Sequence, residues 1–258
     1  MIATRLKGMF GGKRAAAPIA RGPAVPAGER VYAIGDVHGR LDLLEELLDR
    51  IDADDAARGA AKTTIVFLGD LVDRGPQSRQ VIDHVITRDW KGRAVRHLQG
   101  NHEEVFLLAL TGDPEAVRYW TRIGGNEAMM SYGVPGELLA RGTSLAIGED
   151  FIPRVPRDHI LFLNRMTDHV TIGDYAFVHA GVRPGVALEK QKPSDLRWIR
   201  DEFLDHEGDH GAVIVHGHTI TEDVEEYPNR IGIDTGAFSS GRLTALGLEG
   251  AERWYLQT

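Results

Sequence analysis

Residues 63–75 read TTIVFLGDLVDRG, and this stretch decides the fold. The run 63–68 is β-branched and apolar, which is typical of a strand buried on both faces. Gly69 ends that run, and the charged residues Asp70, Asp73 and Arg74 follow. Open α/β sheets place ligands at the carboxyl ends of buried strands. Taken alone, however, the stretch is equally compatible with an ordinary Asp–Gly turn.

Four further apolar runs end in the same kinds of polar side chain. They are the runs 31–34, 95–98, 175–178 and 213–215, which lead into GDVHG at 35–39, GNHE at 100–103, HAG at 179–181 and HGHT at 216–219. One such ending is commonplace. Five in order are difficult to explain as turns, and they indicate a single ligand site.

The motifs GDVHG, GDLVDRG and GNHE together resemble those of the calcineurin-like metallophosphoesterases. The branch that they resemble most is the protein serine/threonine phosphatase type, with its small bacterial members. The similarity extends over residues 31–258 in motif order. It implies an α/β fold with α+β character in the second half, namely a four-layer sandwich of two mixed β-sheets flanked by helices.

The composition excludes several classes of protein. No apolar run approaches the ~18 residues that a membrane span needs. A formal net charge of −8 argues against a general nucleic-acid binder, and the absence of cysteine excludes disulfides and a cysteine nucleophile. We therefore expect no nucleic-acid partner and no membrane span, and the absence of cysteine fits a cytoplasmic location.

The chain divides into a short basic segment and one large domain. Residues 1–30 carry six Lys and Arg residues against the single acid Glu29, amid Ala, Gly and Pro. We expect residues 1–30 to be a disordered tail, with weak contact to acidic surfaces as the alternative. Residues 31–258 form the expected phosphoesterase domain.

Apolar periodicity predicts how that domain is organised. Helices are expected at 41–51, 78–86 and 103–110, which makes the opening a βαβαβ unit with parallel strands. Residues 113–166 predict a helical, cap-like insertion, with Tyr119 and Trp120 as core aromatics. Strands are expected again at 169–173, 175–179, 212–216, 229–234, 242–248 and 252–256 in a mixed or antiparallel arrangement.

The resemblance also implies a set of site residues. Two divalent cations are expected. Ligands without sulfur suit Mn, Fe or Zn, of which Mn²⁺ is the expected ion. The metal ligands would be Asp36, His38, Asp70 as the bridge, Asn101, His179 and His218. His102 would be the general acid, with Asp73 fixing its tautomer. Arg74, Asn101 and Arg200 would bind the substrate phosphate.

Some positions leave alternatives open. Gln99 stands where many relatives carry Arg, which argues against tight binding of phosphoprotein monoesters. His216 competes with His218 as a ligand, and Arg200 could instead pair with Asp201 or Glu202. An exposed loop position is the simpler account of Arg183.

The predicted function is hydrolysis of phosphomonoesters by a hydroxide that bridges two metals. The expected enzyme is of the serine/threonine protein phosphatase type, and its partner is a phosphoprotein, phosphopeptide or small phosphomonoester. The first alternative is hydrolysis of dinucleoside polyphosphates such as diadenosine tetraphosphate. The second is a non-catalytic scaffold, against which the intact ligand set argues.

Overall fold

The computed structural model describes residues 22–258. The strands are β1 (Glu29–Ile34), β2 (Lys62–Phe67), β3 (Ala94–His97), β4 (His169–Ile172), β5 (Tyr175–Val178), β6 (Val213–His216), β7 (Glu225–Glu226), β8 (Arg230–Gly232), β9 (Thr244–Glu249) and β10 (Glu252–Gln257). The helices are α1 (Leu41–Ala57), α2 (Ser78–Thr87), α3 (Asn101–Ala109), α4 (Pro114–Ile123), α5 (Gly125–Ser131), α6 (Gly136–Arg141), α7 (Ser144–Phe151), α8 (Arg157–Leu163), α9 (Pro193–Trp198), α10 (Asp201–Leu204) and α11 (Ala237–Ser240).

The strands form two mixed five-stranded sheets. The first has the order β10-β9-β1-β2-β3, in which β1, β2 and β3 are parallel and β9 and β10 are antiparallel to their neighbours. The second has the order β4-β5-β6-β8-β7, with parallel β5, β6 and β8 and antiparallel edge strands. The parallel opening and the mixed second half are confirmed.

Side-chain alternation along the central strands produces the four layers. In β1, Val31 and Ala33 point towards the second sheet, where they join a core that includes Phe177. Tyr32 and Ile34 point the opposite way and pack with α1 and α2. The outer face of the second sheet is covered by a cluster that includes residues of α9 and α10. The expected sandwich of two sheets between helical layers is therefore present.

The segment 114–163 contains the five helices α4 to α8. It packs on α3 through Phe106, Trp120 and Phe151, which are fully buried. Trp120 is a core residue, as expected, but Tyr119 is 44 % exposed, so the prediction for Tyr119 was wrong. Neighbouring residues on a helix point about 100° apart, and a residue beside a buried one therefore turns towards solvent.

The expected domain boundary after residue 30 needs correction. Val25 is only 3 % exposed, and its N–H donates to the carbonyl of Gly250 at 2.9 Å. The N–H of Ala24 donates to Asp174 Oδ2 at 2.9 Å. Arg30, which is 1 % exposed, belongs to β1 and its charge is paired with acidic side chains. Residues 22–30 are thus part of the domain, whereas residues 1–21 lie outside the described residues.

Helix α1 also exceeds its expected end at Ile51 by six residues, because it continues to Ala57. The polar stretch that predicted the end is held by cations. The carboxylate of Asp52 forms ion pairs with Arg88, Lys91 and Arg93. Within residues 22–258, no helix combines the length and apolar character needed to cross a bilayer.

Candidate metal centre

The expected ligand residues converge where strands of both sheets end. Asp36, Asp70 and Asn101 follow β1, β2 and β3 of the first sheet. His179 and His218 follow β5 and β6 of the second sheet. All five side chains are buried. Because each follows a strand end, the two sheets together bring them to one place.

Asp70 is shared by two clusters of potential ligands. One cluster contains His38, Asp70 and His102, and the other contains Asp70, His179 and His218. Asp70 Oδ2 lies 3.5 Å from His38 Nε2, and Asp70 Oδ1 lies 3.5 Å from His179 Nε2. Each carboxylate oxygen thus faces a different histidine, which is the arrangement that a bridging ligand requires.

Asp36 and Asn101 adjoin these clusters. Asp36 Oδ2 accepts a hydrogen bond from the backbone N–H of His218 at 3.1 Å. Asn101 Oδ1 lies 3.0 Å from His179 Nε2. Both residues therefore contact members of the cluster with His179 and His218.

Several buried atoms at this place suit cations. Among residues 22–258, no hydrogen-bond partner reaches Asp36 Oδ1, His38 Nε2, His218 Nε2 or Asp234 Oδ2. Buried polar atoms are ordinarily bonded, so a group of unsatisfied oxygens and nitrogens fits metal ligation. Oxygen and imidazole donors without sulfur suit Mn, Fe or Zn.

The pKa values of the buried histidines and carboxylates also favour a metal centre. Burial lowers the pKa of His179 to about 4 and lowers the pKa values of His38 and His218, so these rings are neutral as metal ligands must be. Burial raises the pKa of Asp70 above its ordinary value. Burial also raises the pKa of Asp36, with further contributions from Asp234 and Asp70. Crowded buried carboxylates of this kind gain from a cation.

The backbone at the site is unusual. Asp70, Asp73, Arg74, His38 and His218 have φ between 46° and 72°, a region that residues other than glycine rarely adopt. Glycines permit the close approach of the loops. A Cβ on residue 100 would overlap Asp70 Oδ1, and one on residue 217 would overlap Asp36 Oδ1. Strained conformations of this kind concentrate at functional sites.

Two acidic residues of the site escaped the sequence analysis. Glu103 accepts N–H groups of Asp70 at 2.8 Å, Leu71 at 2.7 Å and Gly100 at 2.9 Å, so it ties the second motif to the third. Asp234 is 2 % exposed beside Asp36 and follows β8. Like the expected ligands Asp36 and Asp70, Asp234 is an acid that follows an apolar run.

His102 and Asp73 form the expected pair. His102 Nδ1 lies 2.6 Å from Asp73 Oδ2, and its Nε2 lies 3.8 Å from Asp70 Oδ2. Burial opposes protonation of His102, but Asp70 and Asp73 outweigh burial and raise its pKa. Since Nε2 also belongs to the cluster with His38, the geometry allows either a ligand or a proton donor.

The two predicted phosphate-binding arginines lack acidic partners within the described chain. The guanidinium of Arg74 lies 4.8 Å from the ring centre of Phe238. Arg200 Nη1 donates to Thr219 Oγ1 at 3.2 Å, beside His218, and no ion pair joins it to Asp201 or Glu202 in residues 22–258. The opposite holds for Arg183, which pairs with acidic side chains and fits the account of a structural loop residue.

His218, rather than His216, lies in a ligand cluster. The His216 ring packs against Phe203 with ring centres 5.0 Å apart, and its Nδ1 lies 3.1 Å from the carbonyl of Gly217. The strand end thus directs one histidine of the pair towards Asp70. This placement agrees with the preference for His218.

Fold and site define a metallophosphoesterase, and the chain belongs to the calcineurin-like phosphoesterase family, whose sequence profile matches residues 29–237. The resemblance noted from the motifs is confirmed. A bis(5'-nucleosyl)-tetraphosphatase PrpE [asymmetrical] of Anoxybacillus flavithermus is 29% identical over 232 residues, which cover 83% of this chain and 88% of that protein. Serine/threonine-protein phosphatase 2 of Escherichia coli is 25% identical over 223 residues, which cover 83% and 90%.

Solved structures agree on the fold. A crystal structure of a putative diadenosine tetraphosphatase superposes with a TM-score of 0.61 and 20% identity, covering 93% of this chain and 98% of that one. A cold-active protein tyrosine phosphatase mutant superposes with a TM-score of 0.54 and 18% identity, covering 91% and 82%. At this identity the likeness concerns the fold alone.

Proposed function

We propose that this protein is a two-metal hydrolase in which Asp70 bridges the ions. The observation that carries the proposal is the sharing of Asp70 by two ligand clusters, with one oxygen towards His38 and the other towards His179. Asp36 and His38 would complete one site. Asn101, His179 and His218 would complete the other.

When bound, the two cations would lower the pKa of a water to make a nucleophile near neutrality and would offset the phosphate charge. The residues of the chain have separate tasks. Arg74 and Arg200 bind phosphate oxygens, for which a planar guanidinium is well matched. The amide of Asn101 would add a further contact to the phosphate.

His102 is the proposed proton donor to the leaving oxygen. Its Nδ1 is held by Asp73, which leaves Nε2 as the nitrogen that faces the site. A positioned acid of this kind contributes a factor of ~10²–10⁴ in rate. The contribution is largest for an alkoxide, which is a poor leaving group, and small for p-nitrophenolate.

For the substrate we propose dinucleoside polyphosphates first. Five relatives, each aligned with this chain over at least 86% of its own length, are named bis(5'-nucleosyl)-tetraphosphatase PrpE [asymmetrical]. A cavity of ≈ 710 Å³ is lined by Tyr227 and by Thr219, which follows His218 and accepts a hydrogen bond from Arg200. A nucleoside next to the reacting phosphate needs such a space.

Phosphomonoesters, the class that the sequence predicted first, are the second candidate. The similarity to serine/threonine-protein phosphatase 2 supports them. Gln99, in place of the arginine of many relatives, argues against tight binding of phosphoproteins. A charged hydrogen bond to phosphate is worth ~1.5–3 kcal/mol, compared with ~0.5–1.5 for a neutral one.

The test compares diadenosine tetraphosphate, a phosphoserine peptide and p-nitrophenyl phosphate at saturating Mn²⁺. We expect the largest kcat/KM on the dinucleotide, with ATP and AMP as products. A preference for the peptide would move phosphomonoesters to first place. Absence of turnover on every substrate, with metal bound, would favour the scaffold alternative.

Two arginine variants make the comparison sharper. Arg74→Ala and Arg200→Ala should each raise KM, because each removes a charged contact to phosphate. Arg183→Ala is the matched control, since Arg183 is paired with Asp195 and Glu202 away from the ligand clusters. Equal effects of all three substitutions would contradict the assignment of the phosphate site.

A further inference from the structure

The indole of Trp120 donates hydrogen bonds to Asp73, the residue that contacts His102. Trp120 lies in α4 and is fully buried. Its Nε1–H donates to Asp73 Oδ1 at 2.9 Å and to Asp73 Oδ2 at 2.8 Å. The second of these oxygens is the one that lies 2.6 Å from His102 Nδ1. An indole, a carboxylate and an imidazole therefore form one buried chain.

Asp73 depends on such partners. It is fully buried and has a left-handed backbone with φ 72°. Its own N–H donates to Ser78 Oγ at 2.9 Å. A buried carboxylate is costly unless hydrogen bonds satisfy it. Among residues 22–258, Trp120 and His102 are the side chains that hydrogen-bond to its carboxylate oxygens.

The position of the indole is tightly defined by its surroundings. Its ring centre lies 5.1 Å from that of Phe106 and 5.0 Å from that of Phe151. On another side is Gly125, where a Cβ would come within 2.6 Å of the indole ring. The ring therefore cannot turn its N–H away from Asp73 without repacking the core.

We infer that Trp120 is a positioning residue for the proton donor of this site. It holds the Asp73 carboxylate in the orientation in which one oxygen meets His102 Nδ1. That contact keeps the proton-donating Nε2 directed towards the leaving oxygen. The inference rests on the proposed role of His102 and does not depend on which phosphate substrate is preferred.

The kinetic test uses Trp120→Phe, which keeps an aromatic ring and removes the N–H. On a phosphoserine peptide we expect kcat to fall about tenfold with unchanged KM, because one hydrogen bond to a charged group is lost. On p-nitrophenyl phosphate the loss should stay below about twofold, because that leaving group needs no proton. Metal content should be unchanged.

Trp254→Phe is the matched control. The Nε1–H of Trp254 also donates to a carboxylate, Asp54 Oδ2, at 2.9 Å, but on the outer side of the first sheet. We expect its kinetics to match those of the wild type on both substrates. Equal losses on the two esters in Trp120→Phe would overturn the inference, because a structural defect affects both.

A second measurement needs no folded Trp120 variant. In ¹⁵N spectra of the metal-free wild type, the indole N–H of Trp120 should exchange slowly with solvent, and Asp73→Asn should shift its resonance while that of Trp254 stays in place. An unshifted Trp120 resonance would refute the contact. If the wild type hydrolyses neither of these esters nor diadenosine tetraphosphate, the proposed function fails, and these spectra still decide whether Trp120 holds Asp73.

Discussion

The strand-end loops and the helical segment 114–163 make different contributions to the same site. Strand ends and the residues that follow them supply every proposed ligand, from Asp36 to His218. The helical segment supplies none of the proposed ligands, yet it contacts two adjacent residues of the GDLVDRG motif. Trp120 of α4 donates to Asp73, and the carbonyl of Gly124 accepts the N–H of Arg74 at 2.9 Å.

A hydrolytic site of this kind requires metal ligands and the correct orientation of the reacting groups. The proposed ligands come from short motifs at the ends of strands. The proposed proton donor, His102, and the proposed phosphate-binding Arg74 would be oriented by a segment far away in sequence. Variants of the two regions should therefore fail differently, in metal binding for the loops and in turnover or KM for the helices.

The largest effect is expected for Asp70→Asn, which removes the charge shared by both clusters. We expect turnover to be lost, because a neutral bridge cannot hold two cations next to each other. Metal analysis of the purified variant should show fewer ions per chain. Asp42→Asn, at an exposed acid of α1, is the control and should keep normal turnover and metal content. Full metal occupancy with normal turnover in Asp70→Asn would contradict the bridge.

His102→Asn decides between the two roles that the geometry allows for this ring. As the proton donor, His102 can be replaced without loss of metal, and turnover on an alkyl phosphate should fall by ~10²–10⁴. On p-nitrophenyl phosphate the loss should be much smaller. Loss of a metal ion instead would assign His102 to the cluster with His38 and Asp70.

Gly124→Ala tests the contact between the helical segment and Arg74, the proposed phosphate-binding residue. Gly124 has φ 113°, and a Cβ there would lie 2.7 Å from Arg74 Cγ. We expect displacement of Arg74 and a rise in KM of about tenfold, the value of one charged contact. Gly92→Ala is the control, because φ is 78° and a Cβ there meets nothing within 4 Å. A similar KM in both variants would remove Gly124 from the site.

Acid should weaken the attachment of the helical segment through His97. This ring stacks on Phe67 of β2 and meets Phe162 of α8 with ring centres 5.3 and 4.9 Å apart. Burial lowers its pKa to about 4, and Arg96 adds to the shift. Since the folded pKa is below the unfolded value of 6.5, the unfolded chain binds the proton first as pH falls. The stability that depends on the neutral ring is complete above pH ~6.5 and should be lost as the pH falls through ~4, by up to about 3 kcal/mol.

Melting temperatures at pH 7 and pH 4.5 measure this effect. His97→Phe should reduce the difference between the two values, because a phenyl ring takes no proton. An unchanged difference would show that His97 does not report on the attachment.

The smallest effect is expected for Val25→Ala, in the segment that precedes β1. Val25 is buried in the core between the two sheets, so the substitution should lower the free energy of unfolding by about 1 kcal/mol. Turnover and metal content should remain at wild-type values. A change in kcat would contradict this expectation and would link the segment to the site.

Motif residues were predictable because their information is local. Five apolar runs that end in Asp, Asn or His indicated a single site, and the resemblance of the motifs to the calcineurin-like metallophosphoesterases implied Asp36, Asp70, Asn101, His179 and His218 as its ligands. The limits of the pattern appear at Asp234, where the same ending follows β8. Residues 229–234 were predicted as a strand, and no role was predicted for the last of them, Asp234.

Other features depended on distant partners. The polar end of α1 reads as a stop signal until Arg88, Lys91 and Arg93 are placed around Asp52. The segment 22–30 lacks apolar periodicity, yet Val25 is covered by the domain. Single hydrogen bonds and one buried side chain leave little trace in a sequence pattern.

By itself, the sequence determined the family, the sandwich of two mixed sheets and the proposed ligand set, because strand periodicity and the strand-end motifs are short-range properties. Only the tertiary structure decided which groups orient the reacting residues. Trp120 and Asp73 are 47 residues apart, and Glu103 and Asp70 are 33 apart. A hydrogen bond between such residues depends on the packing of whole helices and sheets, and no local pattern encodes that packing.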